Sequence, residues 1–410
     1  MKPNPSRARG IGVAAAVVTL GLAAVGAWLV VALPRRARCA EQRATLERAI
    51  TDFHAQRWER PVLRGEPVDG NAFDAQVEAM DGPLAELEEA PFDDLARVLG
   101  GDPRPRPELR ALVDRHADAL ARYRASTRRA WSWGDYPVED GADAQEIPLI
   151  AHLRASHLLA AQAHFAEPAE CVEIATDLLR LGQDRAAGRS LVPLMVRSAA
   201  VEDVSTLLPF CLWRGDADVR AQAARELGVL VAHPVPTGYT LEVEALTAGA
   251  MFSELLAPLD HLPTDGATFD VWWSATDALD AWELLAGDPA SRRAFGADYP
   301  RDLADYAAWQ SRVAASANPW VMASTPAFER FLRRDAATRT RMRMLWAMAR
   351  IVAGEPEAIL AEPELFDVQT GRPLERSPEP NRFELRGQGD EPGEVITQTI
   401  PRAPPPPPPE

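Results

Sequence analysis

Four apolar segments follow one another between Ile147 and Ala232, in the sequence IPLIAHLRASHLLAAQAHFAEPAECVEIATDLLRLGQDRAAGRSLVPLMVRSAAVEDVSTLLPFCLWRGDADVRAQAARELGVLVA. Short polar breaks separate the segments, at Glu167-Pro168, Gly188-Arg189-Ser190 and Arg214-Gly215-Asp216. Connections this short make neighbouring helices run antiparallel, so we expect two αα-hairpins packed as one bundle. The third segment, Leu191 to Trp213, is apolar nearly all round, which predicts that it is the central helix, kinked or ended by Pro209.

Helical periodicity extends in both directions from this stretch and predicts a bundle that covers residues 106–354. The additional helices are expected at Glu108–Ala130, Leu241–Leu256, Phe269–Leu285, Leu303–Ser316 and Thr325–Val352. The predicted fold is therefore mostly α.

The pattern changes after the bundle. The turn signal Thr370-Gly371 and the alternating segment Arg382–Arg386 predict a small β-hairpin within residues 355–386. Residues 387–410 are rich in Gly, Pro and acidic side chains and end in a run of prolines. We expect these residues to form a disordered tail with polyproline II character.

Gly10 to Leu33 is an uncharged run of 24 residues. As a helix it would reach about 36 Å, enough to cross a hydrocarbon core of about 30 Å. A cleaved secretory signal is the competing interpretation, but its apolar region is about 7–15 residues long and ends in small residues. Here Pro34 and two arginines follow, and arginines also precede Cys39, where a lipoprotein signal needs small apolar residues. We therefore expect residues 1–9 to be a short flank and residues 10–33 an uncleaved anchor in the inner-membrane lipid bilayer.

Basic residues flank the predicted span on both sides, Lys2, Arg7 and Arg9 before it and Arg35, Arg36, Arg38 and Arg43 after it. Charge therefore does not decide the orientation. Because the upstream flank is short and a large acidic domain follows, we favour a single-pass topology with an extracytoplasmic body. Residues 34–105 are expected to hold a stalk helix, Ala40 to Trp58, and a connector rich in Pro, Gly and acid with short helices near Phe73–Met80 and Pro83–Val98.

The composition excludes several classes of function. The net charge is −16 while residues 1–43 are strongly basic, so the remaining body is acidic and a poor nucleic-acid binder. Lys2 is the only lysine of the chain, which excludes a Walker A loop, a Schiff-base lysine and a kinase β3 lysine from the body. No motif indicates a cofactor.

Cysteine and histidine spacing does not predict a metal site. Three cysteines are too few for a disulfide framework, although Cys171 and Cys211 could pair if the body is extracytoplasmic; buried free thiols are the alternative. His152 and His157 lie about 140° apart around a helix, and His157 and His164 lie about 10 Å apart along it. One metal ion cannot be held by that set.

An aromatic and acidic loop, Trp131 to Gly141, precedes the central stretch. Trp131 and Trp133 could stack sugar rings while Asp135, Glu139 or Asp140 perform acid–base chemistry. The alternative is that the tryptophans cover the bundle and the acidic side chains face water. These five residues are the candidate ligand-binding and catalytic residues of the loop.

Two charged residues occur in the most apolar segment, Arg197 and Glu202. A charge in such a helix must be paired or solvated. We therefore expect either a buried ion-pair network that fixes the bundle or a polar cavity that binds a ligand.

The order of these pieces resembles a group of single-pass, membrane-anchored helical proteins of high-GC bacteria to which no activity is assigned. The likeness lies in the span, in the segment Asp184-Arg-Ala-Ala-Gly-Arg-Ser-Leu191 and in the element Asp367-Val-Gln-Thr-Gly-Arg-Pro-Leu374. The second element also resembles the turn before the last strand of type II secretion pseudopilins. However, the chain lacks their Gly-Phe-Thr-Leu-x-x-x-Glu processing sequence, and no Glu occurs in Pro3–Cys39.

These observations lead to one hypothesis with two alternatives. We expect a membrane-anchored structural or protein-interaction component of the bacterial cell envelope, whose partners are the bilayer and other envelope proteins. The first alternative is a hydrolase of envelope polymers that uses the acidic loop at residues 131–140. The second is a subunit associated with a secretion system.

Overall fold

The architecture described here comes from a computed structural model of the chain. The structure describes residues 33–84, 107–256 except 146, 299–315, 328–377, 384–389 and 394–399, with residues 26, 30, 87 and 277. The protein is mostly helical, with small sheets that include a three-stranded antiparallel sheet near the C-terminus. The predicted α class with a small C-terminal β element is confirmed at this level.

The four helices of the central stretch form as predicted. They are α5 (Leu149–Phe165), α6 (Pro168–Ala186), α7 (Leu191–Arg214) and α8 (Ala217–Ala232), numbered after the four helices that precede them. Local signals set the starts of the last three: Pro168 occupies the first turn of α6, the Ser190 hydroxyl accepts from the Val192 N–H at 3.3 Å at the start of α7, and Asp216 caps α8. Helix α6 packs against α5, α7 and α8.

The central helix is α6 rather than α7, so that prediction was wrong. Every residue of α6 from Ile174 to Ala186 is buried, whereas Val192 and Met195 of α7 are exposed. Hydropathy missed α6 because its buried charged side chains have partners elsewhere in the fold. Pro209 does not end α7, which continues to Arg214.

The later helices complete the bundle. They are α9 (Thr237–Leu256), α10 (Tyr299–Ala315) and α11 (Phe328–Val352), close to three of the predicted ranges. Helix α11 packs against both α7 and α8 and contributes Met344, Leu345 and Met348 to the main core. The predicted helix Phe269–Leu285 lies outside the described residues, apart from Asp277.

The N-terminal part differs most from prediction. Within the continuous described range, the first helix, α1, covers residues 33–54 instead of Ala40–Trp58. It ends before Trp58 because Trp58–Glu59 forms a strand (β1). The predicted helix Glu108–Ala130 is split into α3 (Pro107–Arg115) and α4 (Ala117–Ala125). It ends early because Arg129–Ser132 forms strand β3, which pairs with residues far away in the chain.

Strand β3 is the middle strand of a small sheet. It pairs antiparallel with β1 and parallel with β2 (Val68–Asn71). Helix α2 (Ala72–Met80) follows β2 directly and is capped by Asn71. It agrees with the short helix predicted near Phe73–Met80. Most of the helix predicted at Pro83–Val98 lies outside the described residues.

The C-terminal sheet contains β4 (Glu375–Arg376), β5 (Glu384–Gln388) and β6 (Val395–Thr399), in that order. The predicted hairpin therefore has a third strand. Strand β6 lies in the stretch predicted to be disordered, and that prediction was wrong for residues 395–399. Ile396 and Gln398 point inward, and Gln398 bonds the Ser205 carbonyl of α7 at 3.1 Å. Residues 400–410 lie outside the described part.

The predicted membrane span, residues 10–33, falls outside the described residues except for Gly26, Val30 and Leu33. Among the helices that the structure describes, none is both long enough and apolar enough to cross a bilayer.

A disulfide bond joins two helices of the bundle. Cys171 of α6 and Cys211 of α7 form a disulfide, with their Cα atoms 5.5 Å apart, and both residues are fully buried. Of the two alternatives for this pair, the structure has the bonded one.

Candidate functional site

The aromatic side chains of the loop lie in the core or pack against it. Trp133 is buried between Phe53 and Tyr239, with ring centroids 5.1 and 4.9 Å away. The side-chain amide of Asn71 makes two hydrogen bonds to the backbone of Trp133: it accepts from the Trp133 N–H at 3.0 Å and donates to the Trp133 carbonyl at 2.8 Å. The Arg57 guanidinium lies 4.7 Å from the ring centroid of Trp131. The structure thus leaves no open face of Trp133 for a sugar ring.

The loop is attached to the turn between α6 and α7. The Ala187 carbonyl accepts from the Gly134 N–H at 2.7 Å, and the Asp184 carbonyl accepts from the Ser132 hydroxyl at 2.9 Å. Arg189 donates to the Gly134 carbonyl at 3.2 Å. The segment Asp184–Leu191, which carries the resemblance, therefore anchors the loop.

Two of the three acidic residues of the loop meet a histidine. His54, the last residue of α1, lies with Nδ1 2.5 Å from Asp135 Oδ1 and Nε2 3.0 Å from Glu139 Oε2. Burial lowers the pKa of His54, but the hydrogen bonds and charges of the two carboxylates together outweigh it and raise the pKa above 6.5. An imidazolium that donates hydrogen bonds to two carboxylates holds them together and is not available as a base. Asp140 is exposed.

Asp135 is the one non-glycine residue with positive φ in the described chain, at 42°. Aspartate tolerates this left-handed region better than most residues. The conformation lets the chain turn from the buried Trp133 toward His54.

Arg197 and Glu202 have different environments. Arg197 is buried and forms an ion pair with the fully buried Asp335 of α11. Glu202 has a half-exposed side chain that accepts from Arg341 at 2.7 Å. They therefore do not belong to one network, and only Arg197 belongs to the bundle interior.

The structure contains a cleft of about 410 Å³ between α4 and α6 that the sequence did not predict, and we call it the arginine cleft. It is lined by Leu63, Arg64, Gly65, Ala121, Arg124, Ala125, Thr127, Arg128, Glu173 and Asp177.

Asp177 forms the floor of the arginine cleft. It is buried, accepts from Arg124 Nε at 2.9 Å and forms an ion pair with Arg64. Burial raises the pKa of Asp177, and the charges of Arg64 and Arg124 oppose that rise. Arg64 also pairs with Glu226 of α8, whose carboxylate accepts from the Thr176 hydroxyl at 2.5 Å.

Arg128 differs from the other two arginines of the cleft. Its side chain is exposed and lies against Gly65, and within the described chain it makes no ion pair. The cleft thus combines two fixed, paired guanidinium groups with one guanidinium that is open to a ligand. Half-exposed Glu170 and Glu173 on α6 supply negative charge at the edge.

Sequence reasoning missed this site, although one signal was present. Asp177 interrupts the apolar face of α6 between Thr176 and Leu178, where an unpaired carboxylate would be costly. That position indicated a cationic partner. Its partners Arg64 and Arg124 lie more than fifty residues away in the chain and could not be identified from spacing.

The three histidines that were considered above as metal ligands have structural roles. His152 is buried and its Nδ1 lies 3.0 Å from the Tyr123 hydroxyl, while burial and then the charges of Arg185 and Arg189 lower its pKa to about 3. His157 contacts Asp203 at 3.4 Å and His164 packs against Phe210. Within the described ranges, no group of three or more His, Cys, Asp or Glu side chains could hold a metal ion.

Comparison with protein-family models, with curated proteins and with solved structures finds no match to this chain. Function is therefore inferred from the chemistry of the described residues.

Proposed function

We propose that the protein is a membrane-anchored interaction component of the bacterial cell envelope, with an extracytoplasmic body that binds an envelope partner in the arginine cleft. The observation that carries this proposal is the Cys171–Cys211 disulfide in the bundle core. Structural disulfides form and persist in oxidising compartments and are rare in the cytosol. The uncharged run at residues 10–33 supplies the anchor to the inner membrane.

Binding is favoured over hydrolysis by the roles of the loop residues. A glycosidase needs two carboxylates free to act on either side of a substrate. Asp135 and Glu139 are instead both bonded to His54, and Trp133 is part of the core. We therefore do not propose the envelope-polymer hydrolase, and no observation on the described residues favours a secretion-system subunit.

The arginine cleft has the properties of a preorganised binding site. Buried Asp177 holds Arg64 and Arg124 in place, so little side-chain entropy is lost when a ligand contacts them. Arg128 is open to a carboxylate, and Glu173 offers an acceptor on the other side. A protein segment that carries both an acidic and a polar or basic side chain matches this arrangement.

Site-specific photo-crosslinking in native membranes tests the proposal. A photoreactive amino acid replaces Ala121 or Ala125, which are exposed in the cleft, or Ala217, which is exposed at the start of α8 and serves as control. We expect a discrete adduct with one envelope protein from Ala121 and Ala125 only, and its loss when Arg128→Ser is added. Identical patterns from all three positions would remove the cleft as a binding site.

A separate experiment tests on which side of the membrane the body lies. A reporter that fluoresces only in the cytoplasm, fused to the C-terminal end, should stay dark if the body is extracytoplasmic. A fluorescent fusion would contradict the envelope location whatever the crosslinking result.

A further inference from the structure

The C-terminal sheet ends in a strand with an open outer edge. In the strand order β4-β5-β6, β6 is the outermost strand and pairs antiparallel with β5. Ile396 and Gln398 have buried side chains on the face that packs against α11, and the other three residues of β6 are exposed. One face of β6 therefore lies on the bundle, and its outer edge can meet another strand.

The hydrogen bonds around β5 show which backbone groups of β6 point to this edge. The Gly389 N–H donates to the Glu394 carbonyl at 2.9 Å, and hydrogen-bonded pairs alternate with non-bonded pairs along antiparallel strands. The next pair, Gln388 and Val395, is therefore a non-bonded one, and the Gln388 N–H points away from β6 to Asp367 at 2.7 Å. The alternation leaves three residues of β6 with their N–H and C=O groups directed away from β5: Val395, Thr397 and Thr399.

Most of these outward groups have no partner in the described ranges. The side-chain amide of Gln398 donates to the Thr399 carbonyl at 3.3 Å. The described part of the chain provides no hydrogen bond for the N–H groups of the three residues or for the carbonyls of Val395 and Thr397. Three N–H and two C=O groups are thus available to a further strand.

Strand β6 lacks the features that normally protect an edge strand. Short length, charged side chains, prolines and bulges keep sheet edges from pairing. Other edge strands of the described chain have such features: β1 and β4 are two residues long, and β2 contains Asp69 and a register shift between Val68 and Asn71. In contrast, β6 is five residues long, uncharged and rich in β-branched residues. Its composition therefore favours pairing.

The symmetry of this edge favours a second copy of the chain as the partner. If two β6 strands run antiparallel with Thr397 opposite its own copy, Val395 lies opposite Thr399 of the second copy. All these residues direct N–H and C=O to the shared edge, so three pairs would exchange about six backbone hydrogen bonds. On the exposed face, threonine then meets threonine and valine meets threonine, and β-branched residues pack well across strands.

Charge and sequence exclude two other arrangements. In a parallel pair the two Glu394 residues that precede the strands would be neighbours, whereas the antiparallel pair separates them by about six residues, about 20 Å. The chain that follows β6, residues 400–410, cannot fill the edge of its own strand. Seven of its eleven residues are prolines, which have no N–H group to donate.

We propose that the protein forms a two-fold symmetric dimer through β6, in which two C-terminal sheets of three strands join into one continuous sheet. A five-residue strand gives a small interface, so the dimer is reversible and its population depends on protein concentration. The dimer is independent of the arginine cleft and does not rest on the proposed function.

Sedimentation velocity of the full-length protein in density-matched detergent tests the dimer, with Thr397→Pro as the disrupting variant. Proline removes the central N–H of the outer edge and none of the bonds to β5, so the monomer should keep its fold, which circular dichroism checks. We expect wild type and the control Thr397→Val to shift from monomer to dimer with rising concentration, and T397P to stay monomeric. A wild type that is monomeric throughout, or that associates no more than T397P, would overturn the proposal.

Cysteine crosslinking provides a readout that does not depend on the fold of a proline variant. In a Cys39→Ala background, Thr397→Cys places two exposed thiols opposite each other at the two-fold axis. Val395→Cys, the matched control, places them about four residues apart, about 14 Å along the strands. A short bismaleimide should join two T397C chains and leave most V395C chains single. Equal crosslinking at both positions would contradict this pairing.

Discussion

Arg60 and Asp184 form a two-pronged ion pair in the interior. Arg60 Nε donates to Asp184 Oδ1 at 2.7 Å and Nη2 donates to Oδ2 at 2.8 Å, and neither side chain is accessible to solvent. Arg60 directly follows β1, whereas Asp184 lies in the last turn of α6. The pair therefore joins the small N-terminal sheet to the central helix of the bundle.

Replacing Asp184 with Asn should destabilise the protein by about 3–5 kcal/mol, because it leaves the Arg60 charge buried without a counter-ion. Urea unfolding, followed by circular dichroism, measures the change. Glu357→Gln is the control, since Glu357 pairs with Arg376 at 3.0 Å on the surface and its loss should cost less than about 1 kcal/mol. Similar costs for both variants would contradict the structural role of the buried pair.

Gly188 should not tolerate a side chain. Its φ is +67°, and a Cβ atom added to it would lie 2.6 Å from Cδ2 of Trp133. Backbone strain and displacement of the indole together predict a loss of about 2–4 kcal/mol for Gly188→Ala, with a changed near-ultraviolet signal from Trp133.

Gly354→Ala is the matched control for that variant. Gly354 has a φ of +104°, but nothing lies within 4 Å of an added Cβ. It should therefore show the backbone cost without the change in the tryptophan signal. An unaltered near-ultraviolet spectrum in G188A would contradict the predicted contact.

The parts that could be predicted depend on local signals. The helices α6, α7 and α8 begin where Pro168, Ser190 and Asp216 indicate, because capping and first-turn preferences act within a few residues. Strand β3 could not be predicted in this way, since its partners β1 and β2 are about sixty to seventy residues earlier in the chain.

The candidate site was harder to predict for the same reason. The acidic residues of the loop could be recognised as unusual, but their partner His54 lies more than eighty residues away. Likewise, Asp177 is conspicuous in an apolar helix, yet Arg64 and Arg124 become its partners only through the tertiary fold. Sequence patterns thus identified charged residues in unusual places without identifying what they contact.

Loss of the disulfide should lower stability by about 4 kcal/mol, because Cys171 and Cys211 close a loop of 40 residues in the unfolded chain. Urea unfolding of a Cys171→Ala, Cys211→Ala double variant measures the loss, with Cys39→Ala as control. In unreduced, denatured wild-type protein, a thiol reagent should label Cys39 alone. Labelling of all three cysteines in protein isolated from native membranes would contradict the bond.

The contact of His54 with Asp135 and Glu139 should make stability depend on pH. The pKa of His54 is raised in the folded protein, so the histidine binds its proton more tightly there than in the unfolded chain. The contact of His54 with the two carboxylates therefore contributes fully to stability below the unfolded pKa of 6.5, and this contribution is lost as the pH rises through the higher folded pKa.

A His54→Gln variant, which cannot titrate, isolates this contribution. The difference in unfolding free energy between wild type and H54Q should be largest near about pH 5.5 and shrink toward about pH 8.5. His233→Gln, at an exposed position after α8, controls for the loss of a histidine that contacts no carboxylate in the described chain. A difference that stays constant over this range, or grows with pH, would mean that His54 is not protonated between the two carboxylates.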